Sequence, residues 1–509
     1  MVEIDRGASE SRRDKGPNLL RVIMAILIVT VLSVTSLPLL SDDSSSEIPP
    51  APIPAGIAHT SHGSISIIGN TGFNHSNFPN NGVVSGNGTA LNPYIISGWD
   101  INASSADGIG IQGTTDHFII RDCYVHGWIF THNAIWLYNC MNGIVSNNNC
   151  SNNDYGLYLD SSSSNNTLNN NTCSSNTHHG IYLDSSSNNT LNNNSCSNNY
   201  HGIYLQSSSN NTLNNNSCNS NDFYGMYLQS SSGNTLNDDT CNSNAFYGIY
   251  LRPSSNNNTL NNSSCSNNNV GIYLYSSSDS ILSNNSCSNN VYGICIESSS
   301  DSNNLIGNNC SNNNYGIWHS LSSGNTLFNN TCSSNNWYGT FLSSSSGNTL
   351  SNNTYISNSG NGISLDSSSS NNISWNQVCN NTLQGIYINS GSNNRIWNNT
   401  FIGNNGAGIV RNPAHIQAYD TGTKNRWNTS GSPHGYGNYW SDWTTPDNNF
   451  DGIVDKTYNI TGSMKDYYPL TIPALPIPEP AIFILAGIII VVSLLVSRTR
   501  KKPSLPTRG

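Results

Sequence analysis

The chain has 509 residues, 9% of them charged, and a formal net charge of −10. No lysine occurs between Lys15 and Lys424, so the basic stripe that nucleic-acid binding requires is missing and that class of partner is excluded. The length admits several domains, but an internal period of about 23 residues favours one elongated repeat body.

Residues 1–40 join a basic segment (Arg12, Arg13, Lys15, Arg21) to an apolar run from Val22 to about Leu40, the pattern of a signal peptide or signal anchor. A Ser/Pro-rich linker follows over 41–63, and 64–130 supplies an N-terminal cap and the first coils. The repeats proper span 131–412. Each copy reads GIYL-x-SSS-x-NTL-x-NNxC, with Gly at 156, 180, 202, 225, 248, 271, 293, 316, 339, 362, 385 and 408. Ser, Asn, Gly and Thr oppose helix. The short apolar segments alternate with period two, as in Ile181 and Leu183 or Ile203 and Leu205, which is the strand signal.

One such rung buries three or four apolar side chains and cannot offset the entropy of ordering itself, so each strand must pair with the rung above and the rung below. The expectation is all-β: a right-handed parallel β-helix solenoid of about 12–14 coils, with an N-terminal signal or anchor helix and a C-terminal transmembrane helix. Leu168, Leu191 and their successors down to Ile373 and Ile396 should face inward. So should the Asn column two residues after the Leu (Asn170, Asn193, Asn215, Asn262, Asn284, Asn329, Asn352, Asn398), chaining its amides along the axis. The Cys column (Cys150, Cys173, Cys196 and on to Cys332) is spaced about 4.8 Å per rung. Disulfide Cβ atoms lie about 3.5–4.5 Å apart, so these read as buried thiols filling the core.

Residues 413–470 form a C-terminal cap. Within it, Asp447-x-Asn449-x-Asp451-Gly452-Ile453-x-Asp455 matches the first nine positions of a calcium loop. Tyr458 stands where a bidentate Glu would close an EF-hand, so the alternative is an Asp/Asn/Gly turn that caps the rod. A Pro-rich stalk (471–480), an apolar run (481–497) suited to a membrane span and a basic tail (498–509) follow, placing the repeats outside the cell. Pro478-Glu479-Pro480 with that tail also resembles the sorting signal cut by exosortase-like transpeptidases.

Residues 64–100 (SISIIGNTGF…NGVVSGNGTALNPYIISGWDI), the repeats, and GNYWSDW…DNNFDGIVDKTYNI…KDYYPL at 437–470 together resemble the NosD-like right-handed β-helix family, in its archaeal cell-surface form. The resemblance implies the β-helix fold and export. It also implies a copper-binding or delivery role, although many surface members carry the name without it.

Four Tyr–polar pairs on the outward side of the GIYL strand suggest a sugar-binding face: Tyr158 and Asp160, Tyr182 and Asp184, Tyr204 and Gln206, Tyr227 and Gln229. Tyr stacking on its own copies explains the same pattern. Asp160 and Asp184, one rung apart, are the most enzyme-like pair, but no cation lies in the adjacent rungs and no catalytic residue is assigned. His179 and His201 read as part of an aromatic stack. His117, His126 and His132 lie near Asp116 and Asp122, and His319 near Cys295 makes a pair suited to copper or zinc. The sequence thus reads as a membrane-anchored extracellular rod that binds a surface glycan or surface-layer protein without catalysis. A polysaccharide lyase, hydrolase or epimerase on the same scaffold is the alternative, and a copper role the third reading. Calcium is the cofactor suggested, ahead of copper.

Overall fold

Four residues in each turn take the left-handed backbone conformation, and nearly all are Asn or Ser. In one turn they are Ser185, Asn188, Asn193 and Asn198, with φ of 52°, 61°, 54° and 57°; in the next they are Ser207, Asn210, Asn215 and Ser220. Asn tolerates this region through local side-chain hydrogen bonding where bulkier residues do not. The Asn/Ser-rich composition is therefore the chemistry of corners, and the corners wind the chain into a solenoid.

The computed structural model describes residues 59–73, 79–127, 132–429, 435–461 and 464–474. The apolar runs at 22–40 and 481–497, with the basic tail, lie outside the described residues. Among the described residues no helix is long and apolar enough to cross a membrane. What is described is a right-handed parallel β-solenoid of about 13 turns. The GIYL strands form one 15-stranded sheet and the NTL strands a second. The third side begins as a 3-stranded sheet and ends as a 4-stranded one. Between these, single bridges run from Asn149↔Thr172 to Thr331↔Thr354. Register is exact from rung to rung, as in Tyr182↔Tyr204 and Leu183↔Leu205.

The Ile, Leu and Cys columns face inward as expected; Ile203, Leu205, Leu213 and Cys218 are all 0% exposed. All thirteen cysteines are free thiols, twelve of them buried. Burial raises the thiols of Cys173, Cys218, Cys265 and Cys310 well above their ordinary value. The Cys column continues upward as Tyr355, Val378, Phe401 and Trp440. The glycines are demanded by close approach: a Cβ on Gly202 would stand 2.6 Å from the Gly225 carbonyl oxygen and 2.8 Å from the Cys218 Cβ.

Two register expectations need correction. The inward Asn ladder lies three residues after the Leu, not two. Asn171, Asn194, Asn216, Asn308, Asn330, Asn353, Asn376 and Asn399 are buried, whereas Asn170, Asn193 and Asn215 are left-handed corner residues. The corner interrupts the period-two alternation, so the residue that simple counting sends outward turns in. Two more Asn ladders run parallel to it, through Asn166–Asn189–Asn211–Asn234 and through Asn153–Asn176–Asn199–Asn221. The last rung was expected at Gly408, but Gly408 is exposed; the sheet is continued by Ala418–Asp420, paired with Ile386–Ile388.

At the C-terminal end Trp427, Trp440 and Tyr458, each at most 1% exposed, close the core. Trp440 and Tyr458 stack at 4.1 Å, and Asp466 accepts hydrogen bonds from the Trp440 Nε1 and the Asn438 backbone.

The corrected ladder makes a sharp contrast between neighbours. Asn194 donates to the Leu168 carbonyl (2.9 Å) and Asn216 Oδ1 (3.0 Å) and accepts from the Asn171 backbone and side chain. Asn194→Ala strands buried groups at about 1–3 kcal/mol each and should lower the denaturation midpoint markedly. Asn193→Gly, at a corner that glycine suits, should change stability by less than about 1 kcal/mol. Urea unfolding followed by circular dichroism checks both, and equal effects would contradict the shifted register.

Candidate functional site

The Tyr column stands on the outer side of the GIYL sheet, and its rings lie face to face. Centroid separations are 4.8 Å (Tyr158–Tyr182), 4.9 Å (Tyr182–Tyr204), 4.5 Å (Tyr204–Tyr227) and 5.4 Å (Tyr227–Tyr250). The faces are thus taken up by neighbouring copies, and Tyr204 and Tyr227 are 9% and 5% exposed. The hydroxyls are committed too. Tyr204 donates to Gln206 (2.8 Å) or Gln229 (2.9 Å), Tyr182 to Gln206 (3.1 Å), and Arg252 donates to the Tyr227 hydroxyl at 2.7 Å. Burial, then the nearby Asp160 and Asp184, push the Tyr158 hydroxyl up from its ordinary value. Asp160 and Asp184 share a face by register, and each accepts from the serine that follows it.

A second aromatic column, absent from the sequence reading, is the exposed one. It occupies the position two before the Gly: His178, Tyr200, Phe223, Phe246, Val291, Trp337 and Leu383. Tyr200 and Phe223 are 4.2 Å apart, and Phe223 and Phe246 5.0 Å. Phe246 is 41% and Trp337 51% exposed. The signal was present at the repeat spacing but masked by Asn269, Asn314 and Gly360 in the same column.

His179 and His201 do stack, at 4.9 Å, and the stack continues into Tyr224 at 4.7 Å. Other histidines pair with carboxylates differently from expectation: His126 with Asp100 (3.1 Å), His132 with Asp107 (4.0 Å) and His178 with Asp154. The expected His319–Cys295 pair does not form. His319 is opposite Ile296, and Cys295 opposite Trp318; one residue of offset puts the two on opposite sides of the sheet. His319 is 0% exposed with neither ring nitrogen hydrogen-bonded.

In the cap, Asp447 accepts from the Gly452 N–H, Asn449 from Asp451, and Asp451 from Ile453, while Asp455 is held by the Asn448 backbone and side chain at 2.7 Å. Asp447 Oδ1 has no partner. These bonds build the turn, and one carboxylate oxygen of Asp455 is taken up by Asn448. Among the described residues no three His, Cys, Asp or Glu side chains converge as metal ligands. The Cys-column thiols are sealed at 0% exposure and fill the core, so this donor set does not fit a copper centre that an ion must enter.

The family described as "Periplasmic copper-binding protein (NosD)" matches residues 64–229 and 300–445, more than half of the chain. The family "Right handed beta helix region" matches 193–332. No curated protein matches. Among solved structures, the chain is similar to the A-module of mannuronan C-5 epimerase AlgE6 from Azotobacter vinelandii. The identity is 13% over 66% of this chain and 87% of that one, with a TM-score of 0.37. It is also similar to a periplasmic alginate epimerase AlgG (10% identity, 60% and 78% covered, TM-score 0.35). An alginate lyase from Paenibacillus sp. str. FPU-7 is a third (14% identity, 52% and 94% covered, TM-score 0.32). None of the three bears on the chemistry of this chain.

The buried histidines make acid stability predictable. Burial lowers His201 and His319 to about 3 and His179 well below its ordinary value. A group charged when unfolded but neutral when folded stabilises the fold above its unfolded pKa. That stability is lost as pH falls from about 6.5 toward 3. His319→Leu, which restores the Leu/Ile column, should raise the thermal midpoint and flatten this decline; calorimetric scans between pH 7 and pH 4 test it.

Proposed function

The chain belongs to the NosD family of right-handed β-helix proteins, and from that premise we propose that it is a surface rod which binds neutral glycan and does no chemistry on it. The family is described as periplasmic, in keeping with a repeat body outside the cytoplasm. The runs at 22–40 and 481–497 serve, in this reading, as export signal and membrane anchor.

One observation carries the proposal: Tyr200 and Phe246, exposed, with half-buried Phe223 between them, offer an aromatic edge one ring per rung, beside a locked Tyr–Gln wall. An extended polysaccharide advances by about one sugar per strand spacing, so successive sugars meet successive rings, and the ring faces and edges suit C–H-rich sugar surfaces. Tyr158, Asp160, Tyr182, Asp184, Tyr204, Gln206, Tyr227 and Gln229 form the wall and its polar rim. That rim carries Asp160, Asp184, Glu297 and Asp366 with Arg252 as its cation, so polyanionic chains are repelled and neutral ones favoured. A neighbouring surface-layer protein is the other occupant of the same edge. At the cap, the partnerless Asp447 Oδ1 supports calcium binding once Asp455 exchanges Asn448 for the ion.

A glycan array read for retention and again for released product separates these readings. Retention of neutral polysaccharide without product is expected, reduced at least tenfold by Tyr200→Ala with Phe246→Ala and little changed by Asp160→Asn with Asp184→Asn. Product release that disappears in the double Asp variant would establish the enzyme reading instead, and no retention on any polysaccharide would remove the carbohydrate readings. For the cap, calcium should raise the thermal midpoint and chelation reverse it; an Asp447→Ala variant that responds equally would discard the site.

A further inference from the structure

The aromatic wall has one gap. From Gly156 to Tyr387, every rung but one carries at least one ring among three outward positions: two before the Gly, one before it, and two after it. At the rung of Gly362 the three positions hold Gly360, Asn361 and Ser364. The rungs on either side keep theirs: Trp337, Tyr338 and Phe341 on one side, and Tyr387 beside Leu383 and Gln384 on the other.

The gap is built into the backbone. Ser364 is in register with Phe341 on one side and Tyr387 on the other. The backbone positions that carry those two rings therefore stand two strand spacings apart, about 9.6 Å, with no ring between them. Gly360 keeps the rung-to-rung bond of its column, its N–H donating to the Trp337 carbonyl at 2.6 Å, and a Cβ there would stand 2.2 Å from that oxygen. A pocket of about 390 Å³ results, lined by Phe341, Tyr387 and Tyr338 and by the polar Asn361, Asp366 and Asn389. That volume lies in the range of small-ligand sites, roughly 300–1,000 Å³. Asp366 already orients Asn389, accepting from its amide at 3.1 Å. Asn361, 4% exposed, forms part of the floor.

We propose that this slot binds a single neutral pyranose unit, seated between Phe341 and Tyr387 in the place of the missing ring. The inference deepens the glycan reading and rests on it. A sugar ring fills one ring's thickness, places its C–H faces on the two aromatic walls and brings hydroxyls to Asp366 and Asn389. A purely aromatic ligand would leave those polar groups without partners, and a uronate would oppose the Asp366 carboxylate. The rest of the wall offers ring edges only, so the slot fixes where along the rod a chain is held.

Ser364→Tyr closes the slot by restoring the repeat, and Asn389→Ala removes a polar partner at its rim without adding bulk. Isothermal titration of the purified protein with cellohexaose, mannohexaose and chitohexaose, with oligomannuronate as the acidic comparison, reads the outcome. Saturable binding of a neutral oligomer is expected, weakened at least tenfold by Ser364→Tyr and severalfold by Asn389→Ala, with unfolding midpoints preserved. Unchanged affinity in both variants, combined with loss in Tyr200→Ala/Phe246→Ala, would overturn the slot and leave the exposed column as the glycan site. Loss in the slot variants alone would keep the slot and remove the column. Binding of oligomannuronate only, or of none of the oligomers, would overturn the proposal.

Discussion

The structure depends on a translation: each buried Asn amide repeats its bonds on the rung one strand spacing away. Asn171, Asn194 and Asn216 show the unit, in which each Oδ1 accepts from the backbone and side chain of the rung below and each Nδ2 reaches the next Oδ1. The arrangement works only if rungs are identical in register, because a shifted amide leaves polar groups unpaired where no water reaches. Three such ladders run along the solenoid, so register is locked at three corners of every turn. Hydrophobic burial holds the rungs together, and the Asn ladders decide how they align.

That constraint explains why function has so little room. Inward positions are fixed by packing, corners by the left-handed conformation, and the Gly column by backbone approach. What remains free are the outward positions, and even there the Tyr copies satisfy one another through stacking and Gln-bridged hydroxyls. A regular ladder is good structure and a poor binding surface, because its best groups are already used. Ligand chemistry falls to positions that are exposed, such as Phe246 and Trp337, or to rungs that break the rule.

The period, the strand identity and the inward Ile, Leu and Cys columns were legible because they need only the spacing of like residues. Facing was legible only within a strand. Past a corner the alternation resets, and the Asn ladder was therefore displaced by one residue, from Asn193 to Asn194. The His319–Cys295 pairing failed for a related reason: the two sit three and two residues after their glycines, and a one-residue difference changes the side of the sheet. Nothing at the corners marks which Asn turns inward, since both neighbours are Asn and both are needed, one for its tolerance of positive φ and the other for its amide.

The rung of Gly362 carries the same lesson toward function. In the sequence, the outward stripe passes from Phe341 to Tyr387 and the omission looks like drift in a degenerate repeat. Three simultaneous replacements by Gly360, Asn361 and Ser364 acquire meaning only when they are placed side by side on one face, where they remove every ring from a single level. The inward residues of that rung are unchanged, with Ile363 and Leu365 both fully buried, so the core gives no reason for the change. The change is confined to the outer side of a rung whose core is intact, the one part of the solenoid that packing leaves free to vary.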